Sequence, residues 1–129
     1  MSTKIYHNPQ CSKSRQTLAL MREHRVEPEI VEYMKTPPSV ETLRGFVKAM
    51  RMKSPRELMR TKEAEYKELG LAGEDDPEKL LAAMHDHPRL MERPIVVNGP
   101  RVALGRPPEN VLEILDYDFD RNDPPDPWK

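Results

Sequence analysis

Thr3-Lys4-Ile5-Tyr6-His7-Asn8-Pro9-Gln10-Cys11-Ser12-Lys13-Ser14-Arg15 is the stretch on which the reading of this chain turns. Thr3 to Tyr6 reads as a short strand with Ile5 and Tyr6 as its apolar part. Pro9 and its polar neighbours stop the strand and open a loop. From Ser12 or Lys13 to about Arg25 the pattern is helical: Leu18 and Met21 lie three apart on one face, with Thr17 and Leu20 beside them. Ser12 and Ser14 are the candidate N-terminal caps. The spacing therefore sets Cys11 in a loop at the start of a helix.

Outward from there, Glu27-Pro28 breaks the helix, and Glu29 to Met34 reads as a second strand carrying Ile30, Val31 and Tyr33. A strand–helix–strand unit of this length predicts a parallel pair with a right-handed crossover. Thr36-Pro37-Pro38-Ser39 marks a boundary. Leu43, Phe46, Val47 and Met50 then fall at helical spacing. Ser54-Pro55-Arg56-Glu57 has the serine, early proline and glutamate of a capped helix start. A short helix over Glu65 to Leu69 ends at Gly70, and another opens at Asp76-Pro77, carries Leu80, Leu81 and Met84, and closes at Pro88. Met50, Met59, Met84 and Met91 read as core filler.

Roughly residues 39–91 are thus a helical block between strands. Pro94 to Asn98, with Ile95, Val96 and Val97 in an unbroken apolar run, predicts a buried strand. Asn98-Gly99 is a hairpin signal, Arg101 to Leu104 the returning strand, and a last helix follows Gly105-Arg106-Pro107-Pro108. The fold class expected is α/β.

The chain has 129 residues, 33% of them charged and 36% hydrophobic. That suits one domain over residues 1–115 with a real core. No apolar run approaches the roughly 20 residues of a membrane span, and Met1 to Tyr6 has no apolar signal-peptide region. A cytoplasmic location is the expectation. The formal net charge of −1 points to no nucleic-acid or membrane partner. Five Asp among the last fourteen residues, against Arg121 and Lys129, leave the remainder slightly basic, which suits an anionic substrate. Residues 116–129, with three Pro and no periodicity, read as a disordered tail; Trp128 either dangles there or docks.

The chain holds one cysteine. It forms no internal disulfide and no zinc site by itself, so any redox chemistry draws its electrons from outside. Two readings stand for such a residue, an inert core thiol or a nucleophile. Its position favours the second. Helix N-termini present unpaired N–H groups and partial positive charge, which favour thiolate and bind oxyanions. His7 lies four residues before Cys11 and Arg15 four after it; either cation near the sulfur would hold the thiolate further. Each also has a bland reading, His7 as a loop histidine bonded to backbone and Arg15 as a solvated helix residue. His85 and His87 fall on different helix faces and make no metal site.

Tyr6-His7-Asn8-Pro9-Gln10-Cys11-Ser12-Lys13-Ser14-Arg15 resembles the active-site loop of the glutaredoxin-dependent arsenate reductase family, whose fold is thioredoxin-like. Tyr33-Met34-Lys35-Thr36-Pro37-Pro38, Glu57-Leu58-Met59-Arg60, Glu92-Arg93-Pro94-Ile95-Val96-Val97 and Gly105-Arg106-Pro107-Pro108 resemble it too, in the same order. The resemblance implies a mixed four-stranded sheet with the helical block inserted between its second and third strands. It also implies a catalytic Cys11 with substrate-binding Arg60, Arg93 and Arg106, and a cis Pro94 beside the thiol. Three guanidiniums and a helix N-terminus would offset the repulsion between a thiolate and a tetrahedral anion. Taken without the resemblance, Arg60 reads as a surface residue and Arg93 and Arg106 as loop arginines.

The chemistry so implied starts with Cys11 attacking arsenate. Glutathione, a co-substrate and not a bound cofactor, then attacks the adduct, and glutaredoxin completes the reduction to arsenite. Ser14 stands where a CxxC motif would carry its second thiol, which excludes self-contained disulfide cycling. Ser12-Lys13 departs from the Gly-Thr that follows the cysteine in the best-known members, so the physiological substrate stays open. Two rival readings are a thioredoxin-fold regulator that binds RNA polymerase and a thiol-dependent reductase of another substrate. The presence of Ser14 and Arg106 weighs against the regulator.

Overall fold

A computed structural model describes residues 3–115 of the chain; the tail expected over residues 116–129 lies outside the described residues. The described residues divide into two compact units, one made of residues 3–31 together with 93–115, the other of Glu32–Glu92.

The first unit is built on a mixed four-stranded sheet in the order β2-β1-β3-β4. Its strands are β1 (Thr3–His7), β2 (Glu29–Glu32), β3 (Ile95–Asn98) and β4 (Arg101–Leu104). β3 runs antiparallel to β1, with Ile5 opposite Val96 and Tyr6 opposite Ile95, and antiparallel to β4, with Asn98 opposite Arg101. The hairpin loop is therefore Gly99-Pro100. Asn98-Gly99 is not its centre: Asn98 still pairs in β3, its amide bonded to the Ile114 carbonyl at 2.7 Å, and Gly99, at φ +61°, makes the turn.

Helix α1 (Ser12–Glu23) connects β1 to β2, and the chain after β4 passes through a 3-10 turn (Pro108–Val111) into the short α5 (Leu112–Leu115). Ile5, Leu18, Met21, Val96, Val111 and Ile114 form the core of this unit. α1 stops two residues earlier than its periodicity suggests. Val26 N–H donates to the Met21 carbonyl at 2.9 Å and Arg25 N–H to that of Arg22 at 3.0 Å, with Arg25 left-handed at φ +62°. That is a Schellman closure with a residue other than glycine in its strained position. β2 likewise ends at Glu32 and not at Met34, because the Glu32 carbonyl takes the N–H groups of Lys35 and Thr36 and turns the chain.

The second unit is helical, as the block over 39–91 leads one to expect. α2 (Val40–Ala49) packs on α4 (Pro77–Asp86), and a short α3 (Ala64–Glu68) lies between them in sequence. Leu43, Phe46, Leu58, Leu80, Leu81, Met84 and Leu90 are buried, as are Met59 and Met91; Met50 is only partly so. The capping signals act as read. Ser39 accepts from Thr42 N–H, Asp76 from Glu78 N–H, and Ser54 and Glu57 form a reciprocal capping box. The helix opened at Ser54 is a single 3-10 turn, Pro55–Leu58. Arg56 ties it down, donating to the Tyr66 hydroxyl at 2.5 Å, the Leu71 carbonyl at 2.7 Å and the Glu74 carbonyl. α2 also ends in a Schellman closure, with Arg51 at φ +55° and Met52 N–H on the Val47 carbonyl at 3.0 Å. No helix among the described residues is long and apolar enough to cross a membrane.

Candidate active site

Cys11 is the N-cap residue of α1: its backbone is extended and its carbonyl accepts the Arg15 N–H at 3.0 Å. Its own N–H donates to the Asn8 carbonyl at 3.0 Å, which closes the loop beneath it. No side chain caps this helix, and its first turn carries no acidic residue. The N-terminal N–H groups are therefore left to the sulfur and to whatever it meets.

The balance at the sulfur follows from this placement. Burial opposes ionisation and is the largest single influence. The Ser14 N–H, the charge of Arg93, the Lys13 N–H and a hydrogen bond from Arg93 act the other way, and together they outweigh it. The thiol ionises below its ordinary range, so thiolate is favoured. Cys11 remains partly exposed, as a nucleophile must.

Ser12 and Ser14 do not cap the helix, contrary to the sequence expectation. Ser12 is exposed. Ser14 is fully buried, with its Oγ 2.6 Å from His7 Nδ1 and accepting the Asn8 N–H at 3.0 Å. His7 itself is 6% exposed at the end of β1. The histidine thus meets the loop through the serine. Arg15 donates to the Pro9 carbonyl at 2.9 Å, bracing the loop from its exposed side. The cation acting on the sulfur is Arg93.

Arg93 lies two residues before β3 and is joined to Pro94 by a cis peptide bond, the isomer expected there; Arg106-Pro107 is cis as well. The Arg93 Nε and Nη1 are buried. Arg106 is exposed, and its Nη1 lies 3.5 Å from the Arg93 carbonyl, so the two arginine segments adjoin. Gly105 makes this approach possible. Its N–H donates to the Pro94 carbonyl at 2.9 Å, and a Cβ on it would stand 2.6 Å from Thr17 Oγ1 and 2.9 Å from Pro94 Cγ. Cys11, Arg93, Pro94 and Arg106 all belong to the first unit, with His7, Ser14 and Arg15.

Arg60 belongs to the helical unit. Its N–H donates to the Leu90 carbonyl at 2.6 Å, next to a bridge between Met59 and Met91 and a Glu92 N–H to Leu58 carbonyl bond of 2.8 Å. This small antiparallel join brings Arg60 beside Glu92. Its Nη1 is 2.5 Å from Glu63 Oε1 and its Nε 3.9 Å from Glu92 Oε1. Sequence reading passed over Glu63 and Glu92. The three-residue step from Arg60 to Glu63 was the signal for one; nothing local announces the other.

No group of three or more His, Cys, Asp or Glu able to hold a metal occurs among the described residues. His85 Nδ1 instead lies 2.9 Å from the Pro38 carbonyl.

Comparison with known proteins places this geometry in context. The model of the ArsC family matches residues 6–114. The uncharacterized protein YfgD of Escherichia coli K12 is 58% identical over 113 residues, covering 87% of this chain and 95% of that protein. An arsenate reductase of Haemophilus influenzae is 47% identical over 116 residues, 89% of this chain and 100% of that one. Among solved structures, an arsenate reductase from Vibrio cholerae superposes with a TM-score of 0.85 at 49% identity, over 88% of this chain and 98% of that one. The α/β, thioredoxin-like fold class is shown by these matches.

Proposed function

This chain belongs to the ArsC family, and on that premise we propose that it is an oxidoreductase that reduces arsenate to arsenite with electrons from glutathione and glutaredoxin. The observation that carries the reading is the balance at Cys11. An uncapped helix N-terminus and the Arg93 guanidinium favour the thiolate against the burial that opposes it. The two properties that make a nucleophile, a thiol that ionises below its ordinary range and partial exposure, meet at the chain's one sulfhydryl.

In the proposed reaction the Cys11 thiolate attacks arsenic. A sulfur–arsenic bond forms, an arsenic–oxygen bond breaks, and the oxygen leaves as water after taking up protons. Arsenic remains pentavalent at this stage. Glutathione's sulfur then displaces a second oxygen from arsenic, which leaves as water, so that arsenic, still pentavalent, carries both sulfurs. Glutaredoxin then removes that sulfur as a mixed disulfide, which leaves an electron pair on arsenic. Two thiols become one disulfide and As(V) becomes As(III); water then takes the place of the Cys11 sulfur on arsenic, that sulfur–arsenic bond breaks, and arsenite departs as the Cys11 thiolate returns. Arg93 and Arg106 would hold the oxyanion and stabilise charge that develops on it, with Arg60 as the third guanidinium. His7, Ser14, Arg15 and Pro94 would keep the Cys11 loop and Arg93 in place. We place the protein in the cytoplasm, where a reduced thiol and a glutathione pool coexist.

Arsenite release from arsenate in the presence of glutathione and glutaredoxin tests the reading. Turnover is expected in the wild type and none in Cys11→Ser. A wild type without turnover overturns arsenate as substrate; protection of Cys11 from alkylation by other oxyanions would then identify the class of anion accepted.

A further inference from the structure

Arg60 carries a carboxylate at hydrogen-bond distance on the guanidinium that the proposed reaction gives to the oxyanion. Glu63 and Glu92 both lie within 4 Å of its guanidinium, and all three side chains are largely buried, 27%, 20% and 28% exposed respectively. Glu63 is also the N-cap residue of α3, yet its side chain makes no capping bond. Its carboxylate is committed to Arg60, although a helix N-terminus stands beside it. The backbone holds this arrangement: the Glu63 N–H donates to the Arg60 carbonyl at 3.2 Å, and the join of residues 58–60 with 90–92 fixes Arg60 beside Glu92.

An ionised carboxylate only accepts hydrogen bonds. An anion reaching Arg60 must therefore place oxygen near oxygen. That contact is favourable if the incoming oxygen carries a proton and repulsive if it does not. Hydrogen arsenate and hydrogen phosphate keep a hydroxyl at neutral pH; sulfate and selenate have none.

We propose that Glu63, backed by Glu92, is a specificity-determining residue that accepts a hydrogen bond from the hydroxyl of a tetrahedral oxyanion held by Arg60. The protein thereby takes oxyanions that retain a proton and turns away those of the same shape that do not. Discrimination of this kind works through the penalty on the wrong partner as much as through attraction to the right one. The inference rests on the assignment of Arg60 to the oxyanion made above.

Calorimetric titration of the purified protein at pH 7 with inorganic phosphate and, separately, with sulfate tests it, with folding of each variant checked by circular dichroism. Wild type is expected to favour phosphate at least tenfold. Glu63→Gln keeps the shape of the side chain but offers an N–H donor, and it should narrow that ratio about tenfold, chiefly by gaining sulfate. Glu92→Gln should shift the ratio the same way by less. A purely structural ion pair would move both affinities together. A wild type without preference overturns the proposal. So does a ratio that stays within twofold in Glu63→Gln and in the double variant while Arg60→Ala weakens both anions. Should Arg60→Ala leave both affinities unchanged, the assignment of Arg60 to the oxyanion falls first.

Discussion

Ser14 Oγ sits 2.6 Å from His7 Nδ1, and the same oxygen accepts the Asn8 N–H at 3.0 Å, so one buried hydroxyl joins the end of β1, the loop and the first turn of α1. Asn8 in turn receives the Cys11 N–H on its carbonyl. The position of the sulfur is thus referred back to the sheet through two consecutive hydrogen bonds. Ser14→Ala removes the hydroxyl from a site with no solvent access. A loss of about 1–3 kcal/mol is expected, the range for leaving buried polar groups without a partner, measured by urea unfolding. Ser14 keeps its peptide N–H, so the thiol should still ionise below its ordinary range; alkylation rate against pH checks this.

The readier ionisation of Cys11 also fixes the sign of a stability effect. The native thiol releases its proton at lower pH than the unfolded one. Between those two values the unfolded chain binds more protons, so stability rises with pH. The contribution is complete above the unfolded thiol's range and is lost as pH falls through the native value. Urea unfolding of wild type and Cys11→Ser across mildly acidic to mildly alkaline pH should show the wild type gaining on the variant as pH rises. Arg93→Ala, which removes one of the influences favouring thiolate, should shrink that gain.

Gly105 has no room for a side chain. A methyl group there meets Thr17 Oγ1 and Pro94 Cγ at less than 3.0 Å, and both belong to well-packed surroundings. Gly105→Ala is expected to cost about 1–3 kcal/mol, as overpacking does. It should also slow thiol chemistry by displacing Pro94 and with it Arg93. Adding Thr17→Ala should recover part of the stability, a coupling that a double-mutant cycle measures.

Arg25 and Arg51 occupy left-handed positions at the ends of α1 and α2. The left-handed conformation costs an L-residue roughly 1–2 kcal/mol, and glycine avoids that penalty while loosening the unfolded chain. Arg25→Gly and Arg51→Gly should each stabilise the protein by about 0.5–1 kcal/mol, visible as a higher melting temperature with unchanged Cys11 alkylation.

Elements whose causes are local were legible from the chain. The capping box at Ser54 and Glu57, the Asp76 cap and the apolar run Ile95-Val96-Val97 declare themselves within a few residues. Helix α1 was legible too, but not its end: nothing short of the Arg25–Val26 backbone shows a Schellman closure without glycine. Ser14 was misread for a related reason. A serine near a helix start has the composition of a cap, and only the burial of His7 against it shows where its hydroxyl goes. Cys11, with no capping side chain of its own, occupies the N-cap position. The segments carrying Arg93 and Arg106 are 13 residues apart in sequence and adjoin through the β3–β4 hairpin, a relation that periodicity cannot express. Their selection from the chain's other arginines came from resemblance. The Glu63 and Glu92 carboxylates on Arg60 came from neither source, since one of them depends on the distant join of residues 58–60 with 90–92.

The bare start of α1 carries a consequence for the proposed reaction cycle. With neither a capping side chain nor an acidic residue in its first turn, this helix depends on the sulfur for the negative charge its dipole favours. Ionised, Cys11 supplies it; protonated, it withdraws it; bonded to an anionic group, it moves the charge outward by one bond. In the proposed cycle each chemical state of that atom is therefore expected to change how firmly the opening turn is wound, and amide exchange at Lys13 and Ser14 should follow it.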